Sequence, residues 1–107
     1  MAGSLGDLGG LLRQAQKMQR QVQELQEELA KRSYEGSAGG GAVRVSFNGA
    51  RELLAVHIQP EIVKPAEVDV LEDLVAVAVR DALRKLEEDS ATAMKKVTGG
   101  LGLPGLM

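Results

Sequence analysis

The sequence contains no cysteine and no tryptophan, and Tyr34 and Phe47 are its only aromatic residues. Without cysteine the chain forms no disulfide and offers no thiolate nucleophile, which is typical of a protein from a reducing compartment. With so few aromatic side chains, Leu, Val and Ala must build the core, and each of them buries less surface. A single chain of 107 residues with such a core is expected to be weakly stabilised. The shortage of large side chains therefore favours an oligomer.

The sequence also lacks the patterns that are typical of a membrane-spanning segment or of a catalytic site. No apolar run approaches the length of a membrane span, and the first residues lack the build of a signal peptide, so we expect a soluble cytoplasmic protein without a membrane partner. His57 is the single histidine and has no cysteine or second histidine with which to share a metal, so an ordinary strand histidine is expected. The glycines at 36–41 are not followed by the Lys-Ser or Lys-Thr of a phosphate loop. We therefore predict no enzyme, no cofactor, no metal and no small-molecule substrate.

What the sequence does contain is a long amphipathic stretch at 11–31. Its apolar residues recur in steps of four and three, and they are Leu11, Ala15, Met18, Val22, Leu25 and Leu29. Apart from Leu12 and Ala30, polar and helix-favouring residues fill the other positions without Gly or Pro, so pattern and propensity agree on a helix of about 31 Å. Such a narrow stripe is marginal alone in water. It must pack against a second helix of the same chain, a copy of itself in a dimer, or both.

Three short antiparallel strands are predicted after this helix. The first spans 32–36 and leads into a glycine-rich connector at 37–41. Apolar and polar residues then alternate over 43–48, and a second alternating run, with Leu54, Val56 and Ile58 apolar, returns from the turn. Each of these two strands is expected to bury one face.

The turn between the second and third strands begins at Asn48-Gly49, a common hairpin dipeptide. A two-residue loop and a four-residue loop that reaches Arg51 both keep the apolar faces of the strands together. The shorter loop would place Glu52 opposite Val45. We therefore favour the longer loop.

A second long helix is predicted to begin behind Asp69, an N-cap residue with Glu72 in the position of a capping box. The segment 70–79 is apolar almost all round, which predicts burial on several sides and a dimer interface. The residues assigned to that interface are Leu74, Val75, Val77 and Ala78. Gly99-Gly100 ends the helix, which is predicted either as one piece or broken in two.

The predicted fold class is therefore α+β, with a long N-terminal helix, a three-stranded antiparallel sheet and a long C-terminal helix. A single domain covers 1–107, and the glycine-containing ends at 1–10 and 99–107 are expected to be flexible tails.

Cations are concentrated where the two helices are expected to project from the sheet. The first helix approaches the sheet and the second leaves it, so the start of one and the end of the other are expected at the same distal end. The cations there are Arg13, Lys17, Arg20, Lys95 and Lys96. The net charge of −2 argues against indiscriminate binding of nucleic acid, but basic helix ends are suited to phosphates.

Two alternatives remain open for these residues. The cations can equally form an ordinary solvated surface, neutralised by Glu87, Glu88 and Asp89. The glutamines of the first helix could read base edges, adenine especially, although a plain polar surface is the more ordinary interpretation.

Several segments together resemble the YbaB/EbfC family of bacterial nucleoid-associated proteins. They are Leu12-Arg-Gln-Ala-Gln-Lys-Met-Gln, Val45-Ser-Phe-Asn-Gly-Ala, Leu71-Glu-Asp-Leu-Val, Asp81-Ala and Met94-Lys-Lys-Val-Thr-Gly-Gly. The resemblance covers nearly the whole chain in the right order and spacing. One departure is Gln59 before Pro60, where family members often carry Asp, and only a local effect on the turn is expected.

The resemblance implies a tweezer-like homodimer located in the nucleoid. Sheets and buried helices would form its body, and the first and last helices would project and bind double-stranded DNA. The cations named above would then contact phosphates, in a role in nucleoid organisation or gene regulation. The alternative is a dimeric helical adaptor that docks a protein partner, with weak or incidental DNA binding.

Overall fold

A long helix, a three-stranded sheet and a second long helix follow one another in the computed structural model, which describes residues 2–99. The elements are α1 (Ala2–Lys31), β1 (Ser33–Ala38), β2 (Val43–Asn48), β3 (Leu53–Ile58) and α2 (Val68–Gly99). Two short 3-10 turns, Pro60–Ile62 and Pro65–Glu67, connect β3 to α2. The predicted α+β layout is confirmed, and α2 is one unbroken helix.

α1 is longer than the sequence pattern indicated, because it begins at Ala2 rather than near Leu11. Residues 2–10, which the sequence assigned to a flexible tail, are therefore helical. Once 11–31 has formed a helix, each further residue adds a hydrogen bond without a new nucleation cost. This gain opposes the cost of about 1 kcal/mol for each glycine in the segment. Gly99, which was assigned to the C-terminal tail, is the last residue of α2. Residue 1 and residues 100–107 lie outside the described residues.

The sheet is antiparallel with the order β1-β2-β3. β1 runs two residues beyond its predicted end at Gly36, and Ala38 pairs with Val43 of β2. The turn that follows is tight because Gly39, Gly40 and Gly41 have φ values of 64°, 68° and 92°. Such backbone angles favour glycine, so the chain reverses over few residues and the remainder of the predicted connector is strand.

The loop between β2 and β3 has neither of the two predicted lengths. The Asn48 N–H donates to the Glu52 carbonyl at 3.0 Å, which closes a loop of Gly49, Ala50 and Arg51, with Arg51 at a φ of 66°. The Asn48 side-chain oxygen also accepts from the N–H groups of Ala50 and Glu52 at 2.9 and 3.0 Å. An irregularity in the ladder between Ser46 and Phe47 then places Val45 opposite Val56 and Val43 opposite Ile58. The predicted sharing of one apolar face is thus confirmed, although the predicted loop was wrong.

α2 begins before the predicted cap. Asp69 lies inside the first turn rather than at the N-cap, because the 3-10 turn Pro65–Glu67 continues directly into Val68. Pro65 favours an early start, since its ring fixes φ near the helical value and its missing N–H costs nothing in a first turn. Asp69 still acts favourably there as an acidic residue near the positive end of the helix dipole.

The core lies where α2 crosses β1 and β2. Val43 and Val45 are 0 % and 1 % exposed, and both belong to one apolar cluster with Ala38 and Ala78. Gly36 permits the close approach of the helix, since a Cβ there would lie 2.1 Å from the Ala78 carbonyl oxygen. The packing therefore depends on the absence of a side chain at this position.

This packing corrects one residue of the predicted dimer interface. Ala78 is 0 % exposed, covered by its own chain, and its side chain is not available to a partner. Leu74 and Val75 are half-buried beside the core cluster, while Val77 is 47 % exposed. The apolar segment of α2 therefore divides into a side that faces the sheet and a side that faces outwards.

Candidate nucleic-acid interface

α1 packs against the rest of the molecule only near its C-terminal end. Leu29 is buried, and a Cβ on Gly49 would lie 2.0 Å from the Leu29 carbonyl oxygen, so the β2–β3 loop approaches the helix closely. Farther out, Leu8, Leu11 and Leu12 are 60 %, 60 % and 61 % exposed. The apolar side chains of α1 are thus buried near the sheet and exposed from Leu8 to Leu12.

The dimensions of the molecule show how far α1 projects. The longest dimension is 77 Å, whereas the two helices measure about 45 and 48 Å at 1.5 Å per residue. The helices are therefore staggered rather than side by side over their full lengths. The first half of α1 therefore extends beyond the sheet as an arm.

A small polar cluster fixes the base of this arm. Arg32 donates to Glu28 on α1 and to Asp89 on α2, both at 2.8 Å, and the Tyr34 hydroxyl also donates to Asp89. The Tyr34 hydrogen bond, followed by that of Arg32, lowers the pKa of the Asp89 carboxyl below its ordinary value. Burial, followed by the Asp89 hydrogen bond, raises the pKa of Tyr34. Three elements, α1, β1 and α2, thus meet at one carboxylate.

A second set of contacts holds α2 against β1. The Ser37 backbone N–H donates to the Asp81 carboxylate at 3.1 Å, and Lys85 donates to the Glu35 carbonyl at 2.9 Å. The hydrogen bond from Ser37, followed by that from Arg84, lowers the pKa of Asp81. These contacts orient the helix from which the distal lysines project.

The structure brings three of the five predicted cations to one crevice between the helices. Arg13 and Lys17 of α1 and Lys96 of α2 line it, together with Gln14, Met18, Gln21, Glu24, Leu25, Glu28 and Val97. Arg20 and Lys95 are exposed but do not line this crevice. On the α1 side, Arg13 and Lys17 lie at the outer end of the crevice and Glu24 and Glu28 lie toward the sheet, with Lys96 of α2 at about the level of Glu24.

The ends of the two helices project in the same direction but do not coincide. Outwards from the Arg32–Asp89 ion pair, Lys96 lies about 10 Å along α2 and Arg13 about 28 Å along α1. Arg13, Lys17 and Arg20, which we call the basic flank of α1, therefore lie farther from the sheet than the two lysines. The sequence predicted a common end but not this stagger.

Among the residues that the structure describes, the five predicted cations form no salt bridge, whereas five other cations of the chain do. All five are exposed, and within the described residues none of them forms a salt bridge. Arg32, Arg51, Lys64, Arg84 and Lys85, in contrast, each pair with a carboxylate. Lys31, Arg44 and Arg80 are likewise exposed without a salt bridge in the described part of the chain, so the five predicted cations are distinguished by their position toward the free ends of the helices.

Glu87, Glu88 and Asp89 form their salt bridges with arginines and not with Lys95 or Lys96, although the charge of Lys96 also contributes to the lowered pKa of Asp89. Glu87 pairs with Arg51 of the β2–β3 loop, and Glu88 pairs with Arg84 at 3.0 Å. Asp89 pairs with Arg32, as described above. The three acids thus fix loop, helix and arm base, and leave Lys95 and Lys96 without salt bridges in the described part of the chain.

Sequence reasoning missed the cluster at Asp89. Only the Glu28–Arg32 pair has a local signal, its four-residue spacing on a helix. The Arg32–Asp89 bond joins residues 57 positions apart, and no local pattern marks such a contact. Tyr34 gave a weak hint, since the hydroxyl of a partly buried tyrosine usually finds a hydrogen-bond partner.

The remaining features considered in the sequence are the single histidine, metal-binding groups and membrane-spanning segments. His57 is exposed on β3 and lies opposite Arg44 of β2. Among the described side chains no group of His, Cys, Asp or Glu is placed to hold a metal ion. In the same part of the chain neither helix is apolar enough over sufficient length to cross a membrane.

Comparison with known proteins gives these features a context. The sequence model of the YbaB/EbfC DNA-binding family matches residues 5–101. A nucleoid-associated protein of Clostridium novyi (strain NT) is 45 % identical over 106 residues, covering 99 % of this chain and 92 % of the relative. A nucleoid-associated protein of Clostridium perfringens (strain SM101) is 50 % identical over 104 residues, covering 97 % and 93 %.

A solved structure shares the fold. The crystal structure of an uncharacterized protein from Helicobacter pylori superimposes with a TM-score of 0.71 and 26 % identity. It covers 85 % of this chain and 92 % of its own. The names of the two clostridial relatives describe nucleoid-associated proteins, and neither names an enzyme.

Proposed function

Since the chain belongs to the YbaB/EbfC DNA-binding family, we propose that it binds double-stranded DNA as a cytoplasmic, nucleoid-located homodimer without catalysis. The phosphate contacts are assigned to Arg13, Lys17, Arg20, Lys95 and Lys96. The observation that carries the proposal is that these five cations are exposed, form no salt bridge within residues 7–99 and lie on the parts of α1 and α2 that point away from the sheet. The role is one in nucleoid organisation or gene regulation.

Charge placement reconciles an acidic chain with a polyanionic ligand. The net charge is −2, but the acids lie mainly near the sheet, where several of them pair with arginines. On α1 the acids nearest to the three cations of the basic flank are Asp7, six residues before Arg13, and Glu24, four residues after Arg20. A local excess of cations on a projecting helix attracts phosphates even when the whole chain repels them.

The uncovered edge of the sheet supports a homodimer. Val45 is 1 % exposed beneath α2, yet its partner Val56 on β3, on the same face of the sheet, is 47 % exposed. Leu54, two residues earlier, is 54 % exposed. The apolar face of the sheet thus continues beyond the area that α2 covers, and a second copy can bury it.

The outer side of α2 supplies the matching surface. Val70 and Val77 are 50 % and 47 % exposed and lie two turns apart on one side of the helix. In a two-fold dimer each chain contributes the same patch, so α2 of one chain can cover β3 of the other. Leu74 and Val75 border this patch, and together with Val77 they remain the proposed interface.

The proposal is tested by the salt dependence of DNA binding. The double variant Lys17→Ala, Arg20→Ala is compared with wild type by fluorescence anisotropy on a duplex at several salt concentrations. We expect weaker binding on all duplexes, and a salt slope reduced by about one unit for each phosphate that the variant no longer neutralises.

The matched control also removes one lysine and one arginine, but at positions near the sheet. Lys31 and Arg44 are exposed and have no salt bridge among the described residues, and both lie near the sheet. The double variant Lys31→Ala, Arg44→Ala should keep the wild-type slope. Equal slopes for both double variants would contradict the assignment to the basic flank.

A dimeric helical adaptor is the second candidate, and the exposed Leu8, Leu11 and Leu12 on the arm favour it. It predicts weak DNA binding that is insensitive to Lys17 and Arg20. The same titration therefore decides between the two functions.

A further inference from the structure

α1 carries a row of amide side chains on one face, which begins in its first half and runs toward the sheet. Gln16, Gln19, Gln23 and Gln26 are spaced by three, four and three residues, which places them on one face of the helix. All four are exposed. Within the described residues no hydrogen bond engages any of their side chains. We call these four residues the amide row.

The amide row lies beside the basic flank. Arg13 precedes Gln16 by three residues, and Arg20 follows Gln16 by four and precedes Gln23 by three, so both arginines border the row. On its other side the row meets a shallow apolar groove formed by Ala15, Met18 and Val22, with Gln19, Gln23 and Gln26 at its edge. Amides thus lie between cations and small apolar side chains.

This arrangement matches the chemistry of an A·T pair in the major groove. A glutamine amide donates to N7 of adenine and accepts from its N6 amino group, which gives a bidentate pairing, and small apolar side chains suit the thymine methyl group. A helix of about 10–12 Å diameter enters a groove about 12 Å wide. The row is about 15 Å long, and the bordering arginines can hold the flanking phosphates.

We propose that the amide row reads adenine in the major groove of A·T-containing DNA, and that it sets base preference while the basic flank sets affinity. The inference rests on the proposed DNA binding and goes beyond it, because uncharged amides add little to sequence-independent attraction. A plain solvated surface predicts no dependence on base identity.

The experiment removes a single acceptor atom from the groove. Two A·T-rich duplexes of the same sequence are compared, one natural and one with 7-deazaadenine, which replaces N7 by carbon and leaves base pairing and the minor groove edge intact. Wild type should bind the deaza duplex about tenfold more weakly, within the range for removing part of a bidentate pairing. The variant Gln16→Ala, Gln19→Ala, Gln23→Ala, Gln26→Ala should bind the two duplexes equally and keep the wild-type salt slope.

The substitutions are suited to this use because alanine is the best helix former, so α1 is not weakened. The matched control is Gln14→Ala, Gln21→Ala, which removes two amides from the crevice side of the same helix. It should retain the wild-type preference between the duplexes.

The outcomes separate the inference from the function beneath it. Equal binding of both duplexes by wild type, or a preference that persists in the fourfold variant, overturns the reading of adenine and leaves DNA binding intact. Absence of salt-dependent binding to either duplex overturns the proposed function and the inference together.

Discussion

At the scale of single residues, Asp89 connects the elements that meet at the base of the arm. Its carboxylate accepts from Tyr34 and Arg32 and so links α2 to β1 and to the end of α1. The pKa of Asp89 is lowered in the folded chain, chiefly by Tyr34 and next by Arg32. The charged form is therefore favoured by folding. Its stabilising effect is present above the ordinary carboxyl pKa of 3.8 and is lost as the pH falls through the lowered folded value.

Asp89→Asn should lower the free energy of unfolding at pH 7, because the amide cannot accept two charge-assisted hydrogen bonds. The difference from wild type should shrink as the pH falls below 3.8, where Asp89 of the unfolded chain takes up a proton, and should be lost below the lowered pKa of the folded carboxyl. Urea unfolding between pH 2.5 and pH 7 measures this.

Glu88→Gln serves as the control for Asp89→Asn, since the Glu88–Arg84 pair is exposed and of the i,i+4 type. Such pairs contribute about 0.5 kcal/mol or less. A pH profile of Asp89→Asn parallel to wild type would contradict the role given to this carboxylate.

At the scale of elements, the approach of α2 to β1 depends on Gly36. Gly36→Ala would place a methyl group 2.1 Å from the Ala78 carbonyl oxygen and 2.3 Å from the Ala82 backbone nitrogen. These are backbone atoms of a helix and cannot rotate away, so the helix must shift from the sheet. We expect a loss of about 3 kcal/mol or more in unfolding free energy, at the upper end for overpacking.

Gly10→Ala is the opposite case within the same chain. A Cβ at Gly10 meets nothing within 4 Å, and the residue lies inside α1. Alanine should therefore raise helicity and stability by up to about 1 kcal/mol. Thermal unfolding followed by circular dichroism compares the two variants, and a Gly36→Ala melting temperature equal to wild type would contradict the packing described.

The elements also show what a sequence can predict. The stripe from Leu11 to Leu29 and the alternation around Val45 and Val56 are local periodicities, and both led to correct elements and a correct shared face. The loop at Asn48 was wrong because its length depends on an irregularity in the neighbouring strand, between Ser46 and Phe47. Asp69 was misplaced because the preceding proline turn merges with α2.

In the candidate site, too, the features with a local sequence signal were predicted and those that depend on tertiary contacts were not. Exposure of Arg13, Lys17 and Arg20 follows from their positions away from the apolar stripe, and the structure confirms that they are exposed. The partners of Glu87 and Asp89 did not follow from the sequence, because Arg51 and Arg32 reach them only after the chain has folded. Which cations keep no counter-ion is therefore a property of the tertiary structure.

At the scale of the whole molecule, the uncovered apolar surface predicts an obligate dimer. Light scattering at micromolar concentration should report twice the chain mass. In a monomer, Val77→Asp would place a carboxylate at a position that is 47 % exposed, at little cost. In a dimer the same carboxylate is buried without a partner, so Val77→Asp should shift the mass toward that of a single chain or lower stability.

Leu12→Asp is the matched control for Val77→Asp, because Leu12 is also exposed, at 61 %, but lies on the projecting arm. It should leave the mass measured by light scattering unchanged. A stable monomer for wild type, or a Val77→Asp variant with unchanged mass and melting temperature, would contradict the proposed interface.

The projecting arm also determines how the protein diffuses. The radius of gyration is 21.2 Å, whereas a compact chain of this length has about 13 Å. An elongated particle meets more friction than a sphere of equal mass, so an assembly that carries such arms should elute early from a gel-filtration column and tumble anisotropically in solution. Elution volume calibrated on spherical standards would thus report an oligomer larger than the true one, and rotation about the long axis should be faster than end-over-end tumbling.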